Sequence, residues 1–232
     1  MMKSPTRRRI AQAVLLAFGI AQAAQVPAMP TGAAVTAGGA SISSSGSNMT
    51  INQSTPKAAI NWQQFNIAPG ESVRFVQPGT SAIALNRVLG QDPSAILGRL
   101  SANGQVFLLN PNGVLFGKGA QVDVGGIVAS TLNLSDADFL AGRYGFSGQG
   151  GTVTNQGTIE AAEGGYVVLL APRVANEGVI SARLGTAAMA AGEQATLTLS
   201  GNKLLAIAVD RDAVGALVAN RQLIQRMAVR SF

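Results

Sequence analysis

Residues 105–126 read QVFLLNPNGVLFGKGAQVDVGG: two apolar runs joined by Asn110-Pro111-Asn112-Gly113, then an alternating stretch closed by Gly-Gly. The tetrapeptide meets the preferences of a type I turn at each position. Asn suits the first because its side chain can bond the backbone downstream, Pro the second because its ring presets φ, and Gly the last because it relieves crowding. A hairpin would favour a two-residue turn of the primed types. This corner is therefore expected to carry the chain between strands of different sheets.

Outward from the corner the chain repeats. The pattern N-x-G-x-I occurs at 155–159 (NQGTI) and again 21 residues later at 176–180 (NEGVI). Residues 220–224 (NRQLI) echo it a further 44 residues on, about two periods, with the Gly lost. Between the first two lies GGYVVLLAP, residues 164–172, and GGIVAS at 125–130 resembles its start. A period near 20 with short strands is one rung of a solenoid, whose thin aliphatic row cannot bury itself until neighbouring rungs stack about 4.8 Å away. The expected fold is all-β, a parallel β-helix. Val106, Leu108, Val114, Val122, Ile127, Ile159, Val167, Leu169, Ile180, Leu197 and Leu199 are expected to point inward. Parity stays open because runs such as 166–170 do not alternate. Gly and Asn are expected at corners that require positive φ.

Upstream, residues 31–55 are Gly-, Ser- and Ala-rich but alternate at 40–43 and 49–52, which predicts thin capping strands at the N-terminal end of the coil. Trp62 and Phe65 are candidates for a hydrophobic plug. Residues 72–77 and 82–88 read as strands, and residues 92–98 (DPSAILG) as a turn or single helical turn with Asp92 or Ser94 as cap.

The first thirty residues carry Lys3 and Arg7–Arg9, an apolar run to about residue 21, and Ala21-Gln22-Ala23 as a cleavage site. That is a secretory signal peptide over residues 1–23, its apolar run short of the roughly 20 residues that span a bilayer. The formal charge of +6 is concentrated at the ends, since residues 10–200 hold eight basic and nine acidic side chains. Without a basic, aromatic-studded surface, nucleic acid is not an expected partner. No cysteine is present, so no disulfide or thiolate chemistry is available. In an exported chain that absence also removes cross-links that could block a narrow pore.

A series of stretches then occurs in a recognisable order: NWQQFNI (61–67), LNRVLG (85–90), DPSAILG (92–98), ANGQVFLLNPNGVLF (102–116), GGIVASTL (125–132) and SDADFL (135–140). Together they resemble the N-terminal secretion domain of filamentous-haemagglutinin-type exoproteins of the two-partner secretion pathway, also called the haemagglutination activity domain. The resemblance spans roughly residues 35–200. It implies a right-handed parallel β-helix, recognition in the periplasm by the periplasmic domains of a cognate outer-membrane transporter barrel, and folding outside the cell. It also implies secreted or surface localisation, with a host-cell surface or carbohydrate as a further partner, and adhesins or contact-dependent toxins as the payload of longer members. The family's NPNL motif has no counterpart; residues 82–87 are the nearest neighbourhood. The motif positions so identified are Asn110, Pro111, Asn112 and Gly113 at the turn, with Asn61, Trp62, Phe65, Asn66, Asn86, Arg87, Asn103 and Gly104 beyond it. The expected division is signal peptide 1–23, secretion β-helix 24–200, and a final partial rung with a truncated tail at 201–232.

The competing expectation is a secreted β-helical lyase or hydrolase acting on glycans, which needs paired carboxylates and a basic residue. Asp136 with Asp138, and Asp210 with Arg211 and Asp212, are the candidates, although Ser135 ahead of the first pair suits the cap of a helical turn. The sequence carries no histidine for a usual triad or zinc site, and GKGAQVDVGG lacks the Lys-Ser/Thr pair of a phosphate loop. No cofactor is expected.

Overall fold

A computed structural model describes residues 29–209, 217–220 and 224–225. The signal-peptide residues Ala21 and Ala23, and the cluster Asp210, Arg211 and Asp212, lie outside them. Three sheets of seven, five and eight strands form the walls of a β-solenoid, and a separate three-stranded sheet lies outside it. Each rung runs from the seven-stranded sheet (sheet I) to the five-stranded (sheet II), then the eight-stranded (sheet III), then back. Gln105–Leu109, Val114–Phe116, Gln121–Val124 and Gly126–Ser130 make one such circuit. Neighbouring rungs pair parallel and in register, Val106 on Ile127 and Ile127 on Val167 in sheet I. At the N-terminal end Ala40–Ser45 pairs antiparallel with Asn48–Gln53, the expected thin strands, and Ala34–Ala37 pairs antiparallel with Lys57–Trp62.

Nine of the expected inward residues, from Val106 through Ile180, lie in one continuous buried cluster inside the coil. Trp62 and Phe65 join it with edge-on rings 5.3 Å apart. Leu197 and Leu199 do not. They pack in a second cluster outside sheet I, formed with Phe107, Leu109, Val128, Tyr166, Val168 and Leu170. Sheet I is thus dry on both faces, and a strand buried on both faces reads as an unbroken apolar run. The non-alternating stretches 105–109 and 166–170 are explained by this.

The cover over the outer face has two parts. One is an excursion between Gly126–Ser130 and Thr152–Asn155 that contains a helix, Asp136–Leu140, and a strand, Tyr144–Ser147. The other is a hairpin, Gln194–Ser200 with Lys203–Val209, whose first strand pairs antiparallel with Tyr144–Ser147. Phe107 sits beneath the cover, its ring 5.7–6.3 Å from those of Tyr144, Phe146 and Phe139. The hairpin also accounts for the long third repeat. Asn176 and Asn220 are direct register partners, so the 44 residues between them are one rung plus an insertion, not two rungs.

Two further expectations are corrected. Ser94–Ile96 is a strand of sheet II, not a helical turn, because Ser94 accepts the Asn110 amide and the Ala95 N–H donates to Asn66. Gly113 and Gly164 have the expected positive φ, but Gly125, Gly157, Gly165, Gly178, Gly185 and the repeat asparagines do not. The asparagines form a ladder instead: Asn155 Nδ2 donates to Asn176 Oδ1 (2.8 Å) and Asn176 Nδ2 to Asn220 Oδ1 (2.9 Å). The glycines are needed for close approach, since a Cβ on Gly185 would lie 1.9 Å from the Gly165 carbonyl oxygen and one on Gly165 would lie 2.0 Å from that of Gly125.

Candidate functional site

The Asn-Pro corner joins sheet I to sheet II, as its sequence requires. The Gly113 N–H donates to the Asn110 carbonyl at 3.0 Å, closing the turn, and Gly113 has φ +132. Asn110 is fully buried and saturated: Nδ2 donates to the Asp92 carbonyl and to Ser94 Oγ (both 3.0 Å), while Oδ1 accepts the Asn112 N–H (3.0 Å). The corner is therefore stitched to the preceding rung. On the following rung the Gly151 N–H donates to the Pro111 carbonyl at 2.7 Å. Pro111 and Asn112 face solvent, and Asn112 Nδ2 reaches the Gly90 carbonyl at 2.8 Å.

Two of the other motif positions, Asn61 and Arg87, lead across sheet I to this corner. Asn61 and Arg87 are register partners on adjacent strands of sheet I, and Arg87 pairs in turn with Leu109, the residue before the corner. Asn86 points the other way. Its Oδ1 accepts Trp62 Nε1 (3.0 Å) and its Nδ2 donates to the Ala84 and Phe107 carbonyls, which satisfies the buried indole. Asn66 Oδ1 fixes Ala95 at 2.8 Å. Asn103 and Gly104 stand apart, at the corner from sheet III to sheet I. There Asn103 exchanges two hydrogen bonds with the Gln77 backbone, and the Gly104 N–H donates to Gln77 Oε1. The structure brings these two to the coil's scaffold, not to the Asn-Pro corner.

Beside the corner lies a groove of about 500 Å³, lined by Arg87, Leu89, Gly90, Pro111, Asn112 and Asn133 among others. Leu89 is 54% exposed on its rim. Sequence reasoning did not find this groove. Its signals are Leu89 and Asn133, which carry no motif character of their own. The Arg87 charge is met by Asp136 at 2.8 Å, so the groove has an apolar floor and an uncharged amide rim.

Of the described carboxylates considered for glycan chemistry, Asp136 meets Arg87 and Asp138 serves the helix. Ser135 caps it, accepting the Asp138 N–H at 3.1 Å. Hydrogen bonds from Ser135 and Arg143 hold the Asp138 carboxyl below its ordinary pKa. At the other end Lys57 Nζ donates to the Phe139 and Leu140 carbonyls (2.8 and 3.0 Å) and lies over the Phe139 and Tyr144 rings, with burial lowering its pKa. A cation at a helix C-terminus answers the dipole and the free carbonyls together. Among the described residues, no three His, Cys, Asp or Glu side chains group to hold a metal ion, and no helix is long and apolar enough to cross a membrane.

The sequence profile of the TPS secretion domain matches residues 26–230. The chain is 35% identical over 215 residues to a Heme/hemopexin-binding protein of Haemophilus influenzae strain ATCC 51907, covering 85% of this chain and 23% of that one. A second Heme/hemopexin-binding protein of Haemophilus influenzae is 43% identical over 99 residues, 43% of this chain and 11% of the relative. The crystal structure of the HMW1 secretion domain from Haemophilus influenzae superposes with a TM-score of 0.76 at 33% identity, over 84% of this chain and 53% of that one. The chain thus spans about a quarter or less of the length of these curated relatives and about half of the solved one. With profile, sequence and fold in agreement, the chain belongs to the TPS secretion domain family, the secretion domains of two-partner exoproteins.

Proposed function

We propose that this domain directs export by presenting the segments that form the Asn-Pro corner and its adjoining groove to the periplasmic domains of a cognate outer-membrane transporter barrel, and that it nucleates β-helix folding outside the cell. In this reading residues 1–23 carry the chain to the periplasm and are cleaved after Ala23, the 24–200 segment is the recognised unit, and Leu217–Asn220 with Ile224–Gln225 continue its last rung. The product is secreted or displayed on the cell surface, in the manner of a filamentous-haemagglutinin-like adhesin that meets a host-cell surface or carbohydrate. The observation that carries the proposal is convergence. Arg87, Pro111 and Asn112 line one exposed groove, Asn61 holds Arg87 from the preceding rung, and Asn110 stitches the corner from below, so that three successive rungs contribute. The hemopexin binding named for the relatives belongs to chains four or more times longer. With neither His nor Cys, this domain lacks two usual haem ligands, and the role assigned to it is export of a payload.

The test is co-expression with the transporter barrel, comparing release into the medium of the wild-type chain, Asn112→Ala and Leu89→Asp. Both changes lie on the exposed rim, so the purified variants should retain the wild-type unfolding midpoint within about 1 kcal/mol, as surface substitutions do. Release falling for both while stability holds supports the groove. Unchanged release of both would place recognition elsewhere.

A further inference from the structure

We infer that the hairpin Gln194–Ser200 with Lys203–Val209 is a strap that closes last over the finished coil, latched at its turn by Gln105 and Tyr166, and that the closed strap sets how slowly the secreted domain unfolds. The hairpin is the last stretch of the chain to reach the outer cluster on sheet I. It brings Ala195, Leu197 and Leu204 as buried residues, with Leu199, Ile207 and Val209 packed at the margin.

The socket that receives it is built across three rungs of the coil. Gly126 is the register partner of Gln105, and Tyr166 opens the next strand, one position before the Ile127–Val167 pair. A Cβ on Gly126 would lie 3.0 Å from the Tyr166 ring, so the bare glycine lets the ring lie across it toward Gln105. The Tyr166 hydroxyl donates to Gln105 Oε1, and burial pushes its pKa well above the ordinary value, which keeps it a donor. Gln105 is also fully buried. Its backbone carbonyl accepts Gln77 Nε2 at 3.1 Å, and its own Nε2 donates to the Thr80 carbonyl at 3.3 Å. One further bond leaves the coil: Gln105 Nε2 donates to the carbonyl of Gly201, in the hairpin's turn, at 2.9 Å.

The order of closure follows from these partners. Each rung of the coil needs only its neighbour to stack. The latch joins residues 61 and 96 positions apart in the chain and has no socket until three rungs stand. Contacts with that much chain to close form late. Interactions made after the folding barrier slow unfolding and leave the folding rate alone. A product that folds outside the cell thereby stays folded through a rate, with no chaperone to restore it. The strap belongs to the folded product, so the export reading stands or falls separately.

The experiment is stopped-flow refolding and unfolding of the intact chain in urea, read by the fluorescence of Trp62 inside the coil, with native amide hydrogen exchange on the same samples. Tyr166→Phe keeps the ring and removes one buried bond; it should speed unfolding about fivefold and leave refolding within about twofold. Leu197→Ala, under the strap, should speed unfolding about thirtyfold or more with the same indifference in refolding. Ile127→Val, in the inner row, should slow refolding about twofold. In Tyr166→Phe, exchange should rise in Gln194–Ser200 while Gly126–Ser130 keeps its wild-type protection. Wild-type unfolding of Tyr166→Phe alone overturns the latch, and wild-type unfolding of both Tyr166→Phe and Leu197→Ala overturns the strap. Refolding slowed by the strap variants as much as by Ile127→Val overturns the closing order. Exchange rising equally in both strands shows hairpin and coil opening as one body, which also overturns the strap.

Discussion

Replacing Asn110 by Ala should cost far more than replacing Asn112, although the two flank the same proline. Asn110 is fully buried and makes three hydrogen bonds near 3.0 Å, two as donor to Asp92 and Ser94 and one as acceptor from Asn112. At about 1 kcal/mol net for each bond, with the Ser94 hydroxyl left buried, Asn110→Ala should cost about 3 kcal/mol. For a domain of this size each kcal/mol moves Tm by about 2–4 °C, so the midpoint should fall by roughly 6–12 °C. Asn112 gives up two solvent-side bonds from Nδ2, to the Gly90 carbonyl and to Asn110 Oδ1, about 1 kcal/mol together. Asn110→Asp keeps the shape and the acceptor but turns the contact with the Asp92 carbonyl into an oxygen–oxygen repulsion and buries a charge whose compensating donor is the Ser94 hydroxyl, so at neutral pH it should be at least as harmful as Ala. Urea denaturation of the purified domain measures all three, and an unchanged slope shows that the midpoint shift is a stability change in the same fold. Equal midpoints for Asn110→Ala and Asn112→Ala, within 0.5 kcal/mol, would refute the assignment of Asn110 as the buried stitch and Asn112 as the exposed face.

Phe107→Ala should cost about 3–5 kcal/mol, the usual loss for a buried aromatic, because its ring is the hub of the outer cluster; a urea midpoint near wild type would show that the cover does not pack on sheet I. Gly185→Ala should destabilise by about 1–3 kcal/mol through overpacking against the Gly165 backbone. Gly145→Ala, where an added Cβ meets nothing within 4 Å, should be neutral or stabilising, and the two together test the stacked-glycine corner. Asp138→Asn should lower Tm at pH 7, and the difference should vanish in acid. The folded carboxyl sits below its ordinary value of 3.8, so its contribution is complete above that pH and is lost as pH falls through the folded value. A Tm difference that persisted at pH 2 would argue that the cap acts through shape instead of charge.

The parts of this fold that were legible in the sequence are those set by one local rule. The corner at residues 110–113 could be read because Asn, Pro and Gly each have a single strong backbone reason to be there. The inner row from Val106 to Ile180 could be read because the repeat N-x-G-x-I fixes the rung length and so the register. Leu197 and Leu199 were misplaced because a short amphipathic strand has the same pattern whether its dry face meets the inside of the coil or its outer wall. The hairpin that carries them was hidden for a related reason. Its insertion stretched one rung to 44 residues, a length that two regular rungs would also give.

The repeat glycines show where local rules stop. From one chain a recurring Gly suggests positive φ, yet at Gly125, Gly165 and Gly185 the constraint is the carbonyl of the rung below, which no window of sequence contains. The groove is the same kind of object on a larger scale. Leu89, Asn112 and Asn133 belong to three separate turns of the chain and acquire a common surface only after stacking and docking of the excursion. A surface assembled this way reports on folding as well as on sequence, because Arg87 cannot reach Asn133 and Asp136 until the excursion has settled on a finished sheet I.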